Sequence, residues 1–150
     1  MESSSPTRVL IVANKTAATP ALLQAVRDRA AKGPSRFTLL VPNAAHGLDK
    51  VMNPSDHDKE EAEHVLELAL PLIEEAAGGP VEGMIGDPEP LAAVEDAVNL
   101  GRFDEIILST LPTRVSRWLK LDLPSKVKAL GLPVTTITAR GREQAAVPST

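Results

Sequence analysis

Apolar residues along the chain fall into short continuous runs separated by longer segments of mixed character. The runs at 8–13, 37–42, 105–110 and 133–139 are rich in β-branched residues, and 81–86 is a weaker run of the same kind. Continuous apolar runs of this length are typical of strands that are buried on both faces, as in a parallel sheet. The pattern therefore predicts five strands.

Helical spacing of apolar residues predicts a first helix after the first strand. Thr19 is expected to cap it through its hydroxyl, Pro20 to occupy its first turn, and Gly33 to follow its end. A polar connection, NAAHGLDKVMNPSDHD at 43–58, comes next, of about the length at which loops become unusual and are often functional. The second helix follows it, and we expect Pro71 to kink or break that helix.

Two further helices are predicted in the second half of the chain. Asp87 and Pro88 are expected to open the third, which Gly101 ends. Asp122 is expected to cap a short fourth helix with its carboxylate, and Gly131 to end it. Strand and helix thus alternate four times before the last strand. We expect an α/β fold, an open, mostly parallel, Rossmann-like sheet of five strands with helices on both faces.

The length of 150 residues fits a single domain. We expect a disordered head at 1–7, a folded domain at 8–139 and a flexible tail at 140–150. Aromatic residues make up only 2% of the chain against 43% apolar residues. The core is therefore expected to be aliphatic, and aromatic platforms for stacking bases are scarce.

The charge of the chain restricts its partners. A formal net charge of −4 argues against nucleic acid, whose binders present a basic face. The absence of cysteine excludes disulfides, thiolate metal sites and cysteine nucleophiles. No signal peptide is recognisable, and no apolar run approaches the ~18 residues of a membrane span. We therefore expect a cytoplasmic protein without a membrane partner.

The candidate site follows from the expected sheet. Ligands of open parallel sheets bind beyond the carboxyl ends of the strands, where the strand order reverses. The ligand-binding candidates at this edge, after the first and fourth strands, are Asn14, Lys15, Thr16, Ser109, Thr110, Arg114, Ser116 and Arg117. For each of them, a role in a turn, a cap or the solvated surface is the alternative.

Three segments of the chain resemble the universal stress protein family. VLIVANKTAATPALLQAV (9–26) resembles the opening strand, loop and helix, and VEGMIGDPEPLAAVEDAVNLGRFDEIILS (81–109) resembles the central glycine–aspartate–proline segment. LSTLPTRVSRWLKLDLPSKVKALGLPVTTI (108–137) resembles the closing segment. The resemblance implies an adenine nucleotide alpha-hydrolase-like sheet, a homodimer through the last strand (Val134–Ala139) and, in many members, ATP or another adenine nucleotide.

The chain departs from the family at the phosphate loop. ATP-binding members carry the motif G-x2-G-x9-G-[S/T] after the fourth strand, and here its positions fall on Ser109, Pro112, Asp122 and Leu123. Pro112 has no N–H to offer a phosphate, and the carboxylate of Asp122 would repel one. We therefore expect the backbone route to a triphosphate to be lost, while ATP and AMP stay open as ligands.

Three functional hypotheses are compatible with the sequence. The leading hypothesis is a non-enzymatic regulatory or binding protein of the universal stress type with a degenerate phosphate loop. The second is a binder of adenine nucleotides or another small anion through Arg114, Arg117 and Lys15. The third is a small nucleotide hydrolase that depends on His46 or on a metal, although the sequence has no nucleophile elbow, Walker or dinucleotide motif. The run HDKEEAEH at 57–64 is explained by charge pairing along a helix rather than by a metal.

Overall fold

The computed structural model describes residues 6–13, 19–42, 56–86, 89–110 and 122–138, with only the backbone described at 56–61. The strands are β1 (Thr7–Val12), β2 (Ser35–Pro42), β3 (Val81–Gly86), β4 (Glu105–Thr110) and β5 (Val134–Thr138). The helices are α1 (Pro20–Ala31), α2 (Asp56–Ala77), α3 (Pro90–Leu100) and α4 (Leu123–Lys128). Strands and helices alternate as the sequence predicts.

The five strands form one sheet in the order β3-β2-β1-β4-β5, and all neighbours are parallel. The predicted fold class is confirmed. Strand β1 lies at the centre, where Val12 is in register with Leu40 of β2 and with Leu108 of β4. Strands β2 and β3 lie on one side of β1, and β4 and β5 lie on the other, so the strand order reverses between β1 and β4.

Each face of the sheet has its own hydrophobic core, because successive side chains of a strand point to opposite faces. Val9 and Ile11 of β1 pack with α1 and α2, whereas Leu10 and Val12 pack with α3 and α4. All four are fully buried. Both cores are mainly aliphatic, as the composition predicts, and the continuous apolar runs are explained by burial on both sides.

The starts of two helices differ from the prediction. Thr19 occupies the N-cap position of α1, but its hydroxyl makes no cap bond; its carbonyl accepts the N–H of Leu23 at 3.0 Å instead. Helix α3 begins at Pro90 with Glu89 as its N-cap. The expected start at Asp87 was wrong, because the same acid–proline signal recurs two residues later at the position from which α3 packs on the sheet.

Pro71 does not break α2, which continues from Asp56 to Ala77. The missing N–H of this proline leaves the carbonyl of Glu67 without its helical donor. Both residues are exposed, so water can satisfy that carbonyl. Although α2 is the longest described helix, none of the described helices is long and apolar enough to cross a membrane.

Two boundaries shift by a few residues. Thr7, placed in the head by sequence, begins β1, and its N–H donates to the carbonyl of Pro34 at 3.0 Å. Helix α4 ends at Lys128 rather than next to Gly131. The N–H groups of Leu130 and Gly131 reach back only three residues, so the last turn tightens before the chain enters β5.

Strand β3 lies at one edge of the sheet and contains two glycines that let helices approach it. A Cβ on Gly83 would come within 2.9 Å of a terminal carbon of Leu66 on α2. On the other face, a Cβ on Gly86 would lie 2.8 Å from the Cβ of Ala93 on α3 and 2.9 Å from Leu40. The end of Leu66 can rotate away, whereas the Cβ of Ala93 moves only with its helix. Gly86 therefore fixes the distance between α3 and the sheet.

We expect Gly86→Ala to lower the free energy of unfolding by about 1–3 kcal/mol, the usual effect of overpacking a filled core. Urea unfolding followed by circular dichroism measures it. Gly79→Ala is the matched control, because a Cβ there meets nothing within 4 Å. Equal stability of the two variants would show that α3 is not held against β3 by this contact.

Candidate functional site

The candidate site is the carboxyl edge of the sheet, at the point between β1 and β4 where the strand order reverses. Val12 and Leu108 end in register, so Ala13 and Ser109 follow side by side and Thr110 lies one position further along β4. Helix α1 begins at this edge, after the loop that leaves β1. The edge therefore brings together a helix N-terminus and the last two side chains of β4.

Two of the eight candidate residues lie within the described part of the chain. Ser109 and Thr110 are both at the end of β4, as the apolar run predicts. The candidates Asn14, Lys15, Thr16, Arg114, Ser116 and Arg117 lie outside the described residues, as do His46 and Pro112. The geometry of the site is therefore derived from β1, β4, α1 and α4.

Ser109 and Thr110 point to opposite faces of the sheet. Ser109 shares the side of Ile107, which faces the core under α1, and Thr110 shares the side of Leu108, which faces α3 and α4. Ser109 is 1% exposed and already interacts with another group of the chain. A ligand that approaches from one face thus meets one of these two hydroxyls, and Thr110 is the one with hydrogen-bonding capacity to spare.

The hydroxyl of Thr110 is buried without a hydrogen-bond partner. The residue is 2% exposed, and among the described residues its Oγ1 is the buried side-chain oxygen or nitrogen that lacks a partner. A buried hydroxyl left in this state costs about 1–3 kcal/mol. Such groups are rare in folded proteins and are often completed by a bound molecule or an ordered water.

The N-terminus of α1 adds a positive electrostatic potential to the same edge. Its first turn carries no acidic side chain, and neither does its N-cap, Thr19. The free N–H groups of a first turn and the helix dipole together favour an anion. Proline at the first position removes one donor, so the remaining amides of the turn provide this preference.

Asp122 begins α4 in a left-handed conformation, with φ of 56° and ψ of 42°. By the spacing given in the sequence analysis, the third glycine of the family motif would fall at this position, and the backbone here adopts a conformation that favours glycine. The expected cap is wrong in detail, because the Asp122 carboxylate makes no side-chain cap bond. A capping residue normally has an extended backbone, and Pro124 in the first turn has no N–H to offer.

Catalytic groups are few among the described residues of this edge. No group of three or more His, Asp or Glu side chains able to hold a metal ion occurs in the described ranges. His64 of the 57–64 run is exposed on α2, and the other side chains of the run up to residue 61 lie outside the description. The described part of the site offers hydrogen bonds and a positive potential, which are means of binding.

The sequence could have separated Ser109 from Thr110. Alternation along a strand places them on opposite faces, so the two hydroxyls belong to different environments. The unsatisfied state of Thr110 has no such signal, because it depends on which groups of the folded chain come within hydrogen-bonding distance of its hydroxyl. Burial and hydrogen bonding at one atom are properties of the packed structure.

Comparison with known proteins extends the description of the fold. No protein-family model matches the chain, and no curated protein matches it at a significant level. Solved structures do match. A universal stress protein from Archaeoglobus fulgidus aligns with a TM-score of 0.62 and 15% identity, over 87% of this chain and 93% of that one.

Two further matches contain nucleotides. The universal stress protein from Archaeoglobus fulgidus in complex with dAMP has a TM-score of 0.60 and 16% identity, over 89% of this chain and 98% of that one. A universal stress protein family protein from Arabidopsis thaliana with AMP bound has a TM-score of 0.60 and 19% identity, over 92% of this chain and 95% of that one. In element order, sheet topology and overall shape, the chain has the fold of the universal stress proteins.

Proposed function

We propose that this chain is a non-enzymatic regulatory protein that binds a small ligand at the carboxyl edge of its sheet, between β1 and β4. The observation that carries the proposal is the hydroxyl of Thr110, which is buried at this edge without a partner. A ligand that accepts or donates a hydrogen bond there would recover the free energy that the free protein lacks.

The solved relatives supply the class of ligand. Two of them contain dAMP and AMP, and a third universal stress protein, with a TM-score of 0.60, is in complex with cAMP. These three ligands share an adenine base, a sugar and a single phosphate. Nucleoside monophosphates are therefore the ligands to test first on this chain.

Binding of a triphosphate receives less support. In the motif alignment the third glycine is replaced by Asp122, whose carboxylate is exposed at the start of α4. A negative charge at this point opposes a chain of phosphates more strongly than a single phosphate. We therefore propose a preference for AMP over ATP.

The proposal includes a homodimer through β5. This strand lies at one edge of the sheet, and its residues Val134–Thr138 carry no charge. Unpaired and uncharged edge strands invite pairing with a second chain. The opposite edge, β3, presents the charged side chain of Glu82. Pairing of β5 with β5 across a two-fold axis would join the two sheets.

We expect Thr110→Val to stabilise the free protein and to weaken its ligand. Valine has the shape of threonine without the hydroxyl, so removal of the unsatisfied group should raise the free energy of unfolding by about 1 kcal/mol, or Tm by about 2–4 °C. Affinity for AMP should fall by about 3–10-fold through the lost hydrogen bond. Thermal unfolding and titration calorimetry with AMP, cAMP, dAMP and ATP measure the two effects.

Thr38→Val provides the control for this experiment. Thr38 faces the same side of the sheet, is 9% exposed and lies in the middle of β2 rather than at the carboxyl edge. Its replacement should leave nucleotide affinity unchanged. The proposal fails if none of the four nucleotides binds the native chain below millimolar concentration, or if Thr110→Val binds AMP as well as the native chain does.

We expect Thr136→Lys to convert a dimer into a monomer. Thr136 is exposed on β5, and a lysine on an edge strand opposes pairing with another strand. Size-exclusion chromatography with light scattering reports the mass of both forms. Glu82→Lys on β3 is the control and should remain dimeric. A native chain that is monomeric at high micromolar concentration contradicts the β5 interface.

A further inference from the structure

Two arginines stand side by side at the amino edge of the sheet, the edge opposite to the site above. Arg8 of β1 and Arg36 of β2 are register partners. Both are exposed, and both project from the face that carries α3 and α4. Adjacent strands lie about 4.8 Å apart, and like charges placed directly opposite each other are destabilising. An anion from outside the chain would remove this repulsion.

Within the part of the chain that the structure describes, no carboxylate pairs with these two guanidinium groups. Among the described residues, the ion pair at this edge joins Arg29 Nε to Glu105 Oε2 at 2.8 Å, on the other face. The carboxylate of Asp104 accepts the backbone N–H of Arg8 at 2.9 Å rather than its guanidinium. Within the described ranges, neither Arg8 nor Arg36 forms a side-chain ion pair.

An aromatic ring holds one of the two arginines in place. The guanidinium carbon of Arg8 lies 5.6 Å from the centre of the Phe103 ring, within the range of a cation–π interaction. The ring in turn packs on Gly101, where a Cβ would come within 3.2 Å of it. Gly101, Phe103 and Arg8 thus form a stack that orders a long, charged side chain before any partner arrives, which lowers the entropy lost on binding.

A third cation and an apolar side chain extend this surface. Arg102 immediately precedes Phe103 and is exposed, and it has no side-chain hydrogen bond within the described ranges. Leu100, at the end of α3, is 82% exposed, the most of any large apolar residue described. Arginines beside an exposed leucine and an aromatic ring make the kind of composition that carries most of the energy in protein interfaces.

We propose that Arg8, Arg36, Arg102 and Leu100 form a docking surface for an acidic segment of a partner protein, in which carboxylates pair with the guanidinium groups and an apolar side chain covers Leu100. This basic docking surface is independent of the ligand site at the carboxyl edge. A long polyanion is a poorer occupant, because the chain as a whole carries a net charge of −4 and repels it outside this surface. A second copy is a poorer occupant, because two copies of this basic surface would repel each other and a contact between unlike surfaces would lead to a ring or a filament.

A labelled peptide tests this proposal. The probe is a short fluorescein-tagged peptide of Asp and Glu with a central Leu, and its fluorescence anisotropy is followed in about 150 mM salt, where distant surface charges are screened. We expect the Arg36→Gln, Arg102→Gln double variant to bind at least about tenfold more weakly than the native chain. Leu100→Ala should weaken binding by about three- to fivefold.

Arg27→Gln is the matched control, because Arg27 is exposed on α1 at the other face of the sheet and loses the same charge. It should change the affinity less than twofold. The proposal is overturned if the native chain does not bind the peptide or if Arg27→Gln costs as much per charge as the double variant. It is also overturned if a single-stranded DNA or an anionic vesicle binds more tightly than the peptide and with the same dependence on Arg36.

Discussion

Strand β1 pairs with a neighbour on each side, and the position of every other element depends on this double pairing. Its backbone groups are satisfied by β2 on one side and β4 on the other, and Val9, Leu10, Ile11 and Val12 are all fully buried between two layers of helices. A strand in this position has no solvent-exposed face on which a polar side chain could lie. Since β4 must lie next to β1, the chain has to cross from β3 at the far edge back to the centre. That crossing places α3 on the second face of the sheet. It also creates the reversal of strand order between β1 and β4.

The sequence predicted the architecture well because the strands are buried on both faces. Continuous apolar runs such as IIL at 106–108 admit few other interpretations once helical segments separate them. The first residues of the helices were harder to predict from the sequence. Asp87 and Glu89 each precede a proline, and the local signal at the two positions is the same. Packing decides between them, since Ala93 of α3 must come to lie directly on Gly86.

The position of the candidate site could be predicted from the sequence. The hydrogen bonding of its side chains could be predicted only in part. The rule for open parallel sheets selects the ends of β1 and β4, and Ser109 and Thr110 are found there. Ser109 interacts with another group of the chain, whereas the hydroxyl of Thr110 lacks a hydrogen-bond partner, and this difference depends on which groups the fold brings close to each side chain. The position of the charges on the surface also depends on the folded structure and not on composition alone. The net charge of −4 averages over the chain, whereas the register of β1 and β2 brings Arg8 and Arg36 together at one edge.

The two edge strands differ in a way that bears on assembly. Strand β5 is uncharged along Val134–Thr138, whereas β3 carries Glu82 and is enclosed at its glycines by α2 and α3. If both edges were equally able to pair, β5 of one molecule could add to β3 of the next, and the sheet would grow without end. In the proposed dimer, a second chain would join only through the like strand of its own sheet, and assembly would stop at two subunits.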